Sequence, residues 1–139
     1  MVQLILGKKG KGKTRHLLEK VNKEILTARG NIVYLDKNTK HMYELHSKVR
    51  LINVMEYYLG DSREFLGFVN GIISQDHDLE QMYLDSFLTI ACVKDGELEL
   101  LIKKLEEIGK RFDISFILSC AIDQAEISEA LHPQVIVSL

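Results

Sequence analysis

The sequence holds a single proline, no tryptophan and only two cysteines in 139 residues. With so little proline, and no repeat or low-complexity stretch, nothing in it reads as an interdomain linker. Cys92 and Cys120 form no C-x-x-C or other metal-ligand spacing, so they read as two buried, reduced thiols of a cytosolic protein. No apolar stretch approaches the ~20 residues of a membrane span. The chain begins directly with a strand-like run, which leaves no room for a signal peptide, so the expected setting is cytoplasmic. Charge of one sign is also missing: 18 Lys and Arg stand against 20 Asp and Glu, for a net charge of −2. Without a basic excess or a basic–aromatic stripe, composition argues against a nucleic-acid surface. A chain that is 46% hydrophobic and 27% charged is expected to fold as one domain, residues 1–139, with a core large enough to need no staples.

What is present is a loop. Gly7-Lys8-Lys9-Gly10-Lys11-Gly12-Lys13-Thr14 spells G-x-x-x-x-G-K-T straight after the apolar run Val2–Leu6. Glycines let the backbone curl so that successive N–H groups face phosphate oxygens. Lys13 then reaches the β- and γ-phosphates, and the Thr14 hydroxyl can ligate Mg²⁺. The motif requires a strand before it and a helix after it, and both are predicted. Leu17, Leu18, Val21, Ile25 and Leu26 lie on one face of a helix expected to run to Gly30. Gly7 to Thr14, with Arg15 just beyond, are therefore the candidate nucleotide-binding residues. A glycine turn edged by solvated lysines is the plain alternative.

Along the rest of the chain, strand and helix patterns alternate. Strands are predicted at Asn31–Asp36, Arg50–Val54, Gln81–Asp85, Ile114–Cys120 and Val135–Val137, with a short helix around residues 38–47. Asp61 and Glu64 have capping-box spacing and open a helix carrying Phe65, Phe68, Val69, Ile72 and Ile73. Leu98, Leu101, Ile102, Leu105 and Ile108 mark an amphipathic helix. Asp123 and Glu126 are expected to cap a short helix stopped by Pro133. The alternation predicts an α/β fold: a three-layer sandwich around a mainly parallel sheet of five to six strands. Ligands on such sheets sit at the carboxyl ends of strands, where the loop lies.

Magnesium–nucleotide chemistry also needs a carboxylate at a strand end. Asp36 and Asp85 both qualify. Asp85 is favoured as the metal-side residue, because a complete intervening stretch of strand and helix separates its strand from the loop strand. Turn or helix capping is the plain alternative for each.

Together, Gly7–Thr14, Ile32–Asp36, Met82–Phe87 and Phe116–Cys120 resemble the RecA-like group of P-loop ATPases. Tyr83-Leu84-Asp85-Ser86-Phe87 is similar to that group's Walker B strand, and Ile117-Leu118-Ser119 to its sensor strand. Small bacterial ATP-binding proteins labelled as twitching-motility ATPases look similar throughout. The resemblance implies the P-loop NTPase fold, with the loop strand beside the sensor strand and the Walker B strand beyond it. It implies ATP and Mg²⁺ as ligands, with Thr14 and Asp85 at the metal and Lys13 and Asp85 in the catalytic roles. One departure stands out. The group places a glutamate after the Walker B aspartate or near the end of the second strand, whereas this chain has Ser86 and Asn38 there. Without that base, water is poorly positioned and turnover should be slow; Asp36 is the one substitute nearby.

Other features rank lower. Lys8, Lys9, Lys11, Lys13 and Arg15 crowd a short segment that reads mainly as a solvated loop edge. Lys8 occupies the signature position of the deviant loops of MinD- and ArsA-like dimeric ATPases, but Lys9 replaces their second glycine. The five histidines show no ligand spacing, although His16 is near enough to the loop to touch a nucleotide. Leu88–Val93 is an apolar run expected to be buried, with an exposed partner patch as the alternative. Arg50 and Arg111 are the candidates for a trans-acting arginine. The expected function is an ATP-binding protein and slow Mg-dependent ATPase acting as a nucleotide-controlled switch. A nucleotide-binding module without hydrolysis, or a small nucleotide or nucleoside kinase, stands as the alternative. The paucity of arginines for phosphate clamps weighs against the kinase. A protein partner or a homo-oligomer is left open.

Overall fold

The computed structural model describes residues 1–139. Its sheet has six strands: β1 (Val2–Leu6), β2 (Asn31–Asp36), β3 (Arg50–Asn53), β4 (Leu79–Leu84), β5 (Ser115–Cys120) and β6 (Val135–Ser138). They lie in the order β3-β2-β4-β5-β1-β6, and every pairing is parallel. The loop strand β1 therefore neighbours β5, with β4 beyond it, in the arrangement expected from the sequence. The helices are α1 (Lys13–Glu24), α2 (Ser62–Ser74), the single turn α3 (Phe87–Ile90) and α4 (Leu98–Phe112).

Strand alternation sorts the core into two layers. Val2, Leu4 and Leu6, Val33 and Leu35, Met82 and Leu84, and Phe116 and Leu118 face one side of the sheet, where they pack with buried residues of α2, α3 and α4. Ile5, Ile32, Tyr34, Tyr83 and Ile117 face the other, with Leu17 and Val21 of α1. Both faces are covered, so the chain is a three-layer α/β sandwich. The same parity carries Tyr34, Asp36, Asp85 and Ser119 to the α1 side, the side from which the loop enters its helix.

Three expected elements differ. The helix after the loop ends at Glu24, six residues before Gly30, and Leu26 is left 71% exposed. Gly30 instead passes so close to the β4 approach that its N–H reaches Glu80 Oε1 (2.8 Å). The helix expected around residues 38–47 is only a 3₁₀ turn at Met42–Glu44. The segment has too few apolar residues to bury a helical face, and Asn22 of α1 ties it down through Glu44 O (2.8 Å) and His46 N (2.9 Å). The region after β5 forms two 3₁₀ segments, Gln124–Glu126 and Glu129–Gln134, and Pro133 lies inside the second rather than ending a helix. At the capping box, Asp61 accepts from Glu64 N (2.8 Å) as expected, while the Glu64 carboxylate reaches back to Gly60 N. Leu88–Val93 is largely internal, with Ile90 and Ala91 fully buried.

A Cβ at Gly30 would stand 2.0 Å from the Asp78 carbonyl oxygen, whereas one at the exposed helical Gly67 would meet nothing within 4 Å. Urea denaturation should therefore separate the two sites. Gly30→Ala is expected to lose about 1–3 kcal/mol through backbone overcrowding, and Gly67→Ala to gain about 0.5–1 kcal/mol.

Candidate functional site

The loop between β1 and α1 is shaped by Gly10 and Gly12, whose φ angles of 84° and 97° lie in the left-handed region. Gly12 is the N-cap of α1 and offers no side-chain acceptor, and no acidic residue stands in the helix's first turn. The first amide N–H groups of the helix thus remain available, beside the positive end of the helix dipole, for an anion. Lys13 Nζ donates to the Lys8 carbonyl (3.1 Å). That leaves two of its three protons for other acceptors. Burial holds its pKa below the usual lysine range, the charge of Lys37 adds to this, and Asp85 opposes it.

Asp85 follows β4 and is 2% exposed. Its Oδ1 accepts from Ser119 Oγ (2.7 Å), Ser86 N (2.9 Å) and Thr14 Oγ1 (3.2 Å), and its Oδ2 from the Tyr34 hydroxyl (2.8 Å). Ser119 Oγ in turn accepts from Ser86 N (2.9 Å). Tyr34 lies flat against Tyr83 of the neighbouring strand, their planes 9° apart. Burial, then the charge of Asp85 and the hydrogen bond to it, pushes the Tyr34 pKa far above the usual phenol range. Tyr34 therefore remains a donor at any working pH. The Thr14 hydroxyl facing the Asp85 carboxylate is a pair of hard oxygen ligands of the kind that Mg²⁺ takes, with nucleotide phosphates completing its shell. No grouping of three or more His, Cys, Asp or Glu side chains that could hold a metal ion occurs in the structure.

These residues open on a cavity of about 390 Å³. Lys9, Gly10, Gly12, Lys13 and Thr14 line it from the loop, Asp85, Ser86 and Ser119 from the strand ends, and Lys37 from the end of β2. The structure thus brings together most of the candidates named from sequence, but not all. Gly7 lies behind the loop, where a Cβ would stand 2.9 Å from Leu139 Cβ. Lys8 pairs with Glu126 (2.7 Å) in its own chain. Lys11 is exposed and does not line the cavity. Arg15 points away and stands beside Glu19 (3.4 Å). His16 lines a separate cleft between α1 and β6. Arg50 pairs with Asp76 (3.3 Å) at the amino end of β3, and Arg111 lies near the end of α4 over the Phe112 ring. Both lie toward the amino ends of the strands, the end of the sheet opposite the loop. Both cysteines are free; Cys92 is only half-buried, and burial pushes the Cys120 thiol up to about 12.

No glutamate lines the cavity. Asn38 closes a local turn by accepting from Lys40 N (2.9 Å). Asp36 is 3% exposed, and its Oδ1 accepts from the amide of Lys37 (2.7 Å). Tyr34 and Lys37 had no signal in the loop motif. Alternation within β2 would have placed Tyr34 on the Asp85 face, but only the strand order places it opposite Asp85.

No family model matches the sequence, and neither does any curated protein. Among solved structures, the fold is similar to the crystal structure of a KaiC-like protein from the hyperthermophilic archaeon Pyrococcus horikoshii, with a TM-score of 0.60 and 17% sequence identity. The match covers 87% of this chain and 61% of that one. Likeness at this identity shows the fold, a RecA-like P-loop architecture. It lends no support to the narrower likeness to twitching-motility ATPases.

Burial, and then the charge of Asp85, raises the Asp36 pKa above the usual 3.8. A carboxyl whose pKa is raised by folding holds its proton in the native state over a window where the unfolded chain has released it. Stability therefore falls as pH rises through that window. Asp36→Asn, which keeps an acceptor for the Lys37 amide, should raise the melting temperature at about pH 7, with the gain shrinking to nothing as pH falls toward the ordinary carboxylate value. Melting curves across pH check this.

Proposed function

We propose that the chain binds ATP with Mg²⁺ at the Gly7–Thr14 loop, and that residues 1–139 act as one nucleotide-binding domain. The observation that carries this reading is the Thr14–Asp85 contact beside an uncapped, glycine-led helix N-terminus. In this reading Gly10, Gly12 and Lys13 hold phosphate oxygens, while Thr14 and Asp85 hold the metal. Mg²⁺ held by these two residues would supply charge neutralisation to the phosphates. Ser119 and Tyr34 donate to the Asp85 carboxylate and hold it in place. Adenine as the base comes from the resemblance to RecA-like ATPases. Cytoplasmic placement rests on the free cysteines and on the lack of any helix long and apolar enough to cross a membrane.

Catalysis is the weaker half. The cavity is rich in cations but has no glutamate to orient water, so hydrolysis is slow and the protein works as a switch between nucleotide states. The same observation favours the second reading, a binding module with no hydrolysis. Nothing in the cavity supports a kinase, because no arginine lines it.

Adding Mg·ATP at 100 times its Kd should stabilise the fold by about 2.7 kcal/mol, read as a rise in melting temperature. Lys13→Ala should abolish the rise; no rise at millimolar Mg·ATP sinks both readings. Steady-state phosphate release then divides them. A slow rate that Asp85→Asn removes supports the ATPase, and a rate equal to that of the Asp85→Asn protein leaves a pure binder.

A further inference from the structure

Three lysines line the cavity, and Lys37 is the one that does not come from the loop or its helix. It follows the end of β2, and its amide is pinned to Asp36 Oδ1 (2.7 Å), which fixes where the side chain leaves the backbone. Its ammonium has no ion-pair partner in the chain. By contrast, Lys8 is neutralised by Glu126. Lys13, at the start of α1, lines the same cavity. Two ammonium groups thus face one cavity and repel each other across it. An anion between them would relieve both.

Strand order says which part of the anion each one meets. The loop follows β1, Asp85 follows β4, and Lys37 follows β2, in the spatial order β2-β4-β5-β1. In the Mg-nucleotide reading, Lys13 and the Thr14–Asp85 pair would hold the β- and γ-phosphates and the metal. Lys37 stands beyond that pair, on the side away from the loop. We propose that Lys37 contacts the terminal phosphate and makes the site selective for a nucleoside triphosphate over a diphosphate. This rests on the Mg-nucleotide reading and supplies what a switch needs, a group that reads the one phosphate by which its two states differ. Lysine suits the role as a flexible point charge, with three donors for phosphate oxygens.

Isothermal titration with Mg²⁺ and a non-hydrolysable ATP analogue, and separately with Mg·ADP, tests this on wild type, Lys37→Met and Lys37→Arg. Wild type should prefer the triphosphate. Lys37→Met should weaken the analogue about tenfold, about 1.4 kcal/mol, while ADP binding changes less than about twofold. Lys37→Arg should keep most of the preference. Because Lys37 is exposed, Mg·ADP affinity also serves as the control for an intact fold. Equal losses for both nucleotides, or no change for either, would overturn the proposal while leaving nucleotide binding in place. A wild type that binds neither removes the underlying reading, and this proposal with it.

Discussion

A carboxylate that is 2% exposed must find donors for its lone pairs or give up its charge. Asp85 finds them in four separate segments: the start of α1 through Thr14, β2 through Tyr34, the turn after β4 through the amide of Ser86, and β5 through Ser119. Hydrogen bonds to a charged group contribute about 1.5–3 kcal/mol each, enough to offset much of the desolvation. The geometry is unforgiving. Tyr34 reaches Asp85 only because β2 pairs in parallel with β4, with Tyr34 opposite Tyr83. Ser119 reaches it only because β5 is inserted between β4 and β1. The sheet order and the site are therefore a single constraint, and the Asp85 carboxylate is fixed in place by the fold itself.

How much of this was legible follows from how far apart the interacting residues lie in sequence. The loop is a local motif, and both its flanking elements formed. Asp85 was legible as a strand-end carboxylate, because its strand follows a complete intervening stretch of strand and helix after the loop strand. Tyr34 and Lys37 were not, since their importance arises from a strand pairing across about fifty residues that no periodicity reveals. The misplaced helix end has a similar origin. Leu26 continues the apolar face of α1 on paper, but the close approach of Gly30 to the Asp78 carbonyl turns the chain away first. The 37–49 crossover looked helical by its length and polarity, yet its backbone groups are satisfied by Asn22 instead.

Charge in the cavity is distributed unevenly. Cations come from three positions, Lys9, Lys13 and Lys37, and suit a polyphosphate. The acidic groups are either locked into the Asp85 network or, like Asp36, buried and held above the usual carboxylate pKa. Asp36 does not line the cavity and holds one oxygen on a backbone amide, so it is not placed to meet a water there. A cavity with three lysines and no glutamate would suit binding a polyphosphate better than orienting an attacking water.

The central claim is that the backbone of the glycine loop, rather than any other surface, receives the phosphates. Amide ¹H–¹⁵N spectra recorded as Mg·ADP or Mg·ATP is added test this directly, because each N–H reports its own hydrogen bond. The amides of Gly10, Gly12, Lys13 and Thr14 should show the largest shifts, with Ser86 following through the Asp85 network. Loop amides that stay in place at saturating nucleotide, or large shifts confined to the far end of the sheet, would contradict the account.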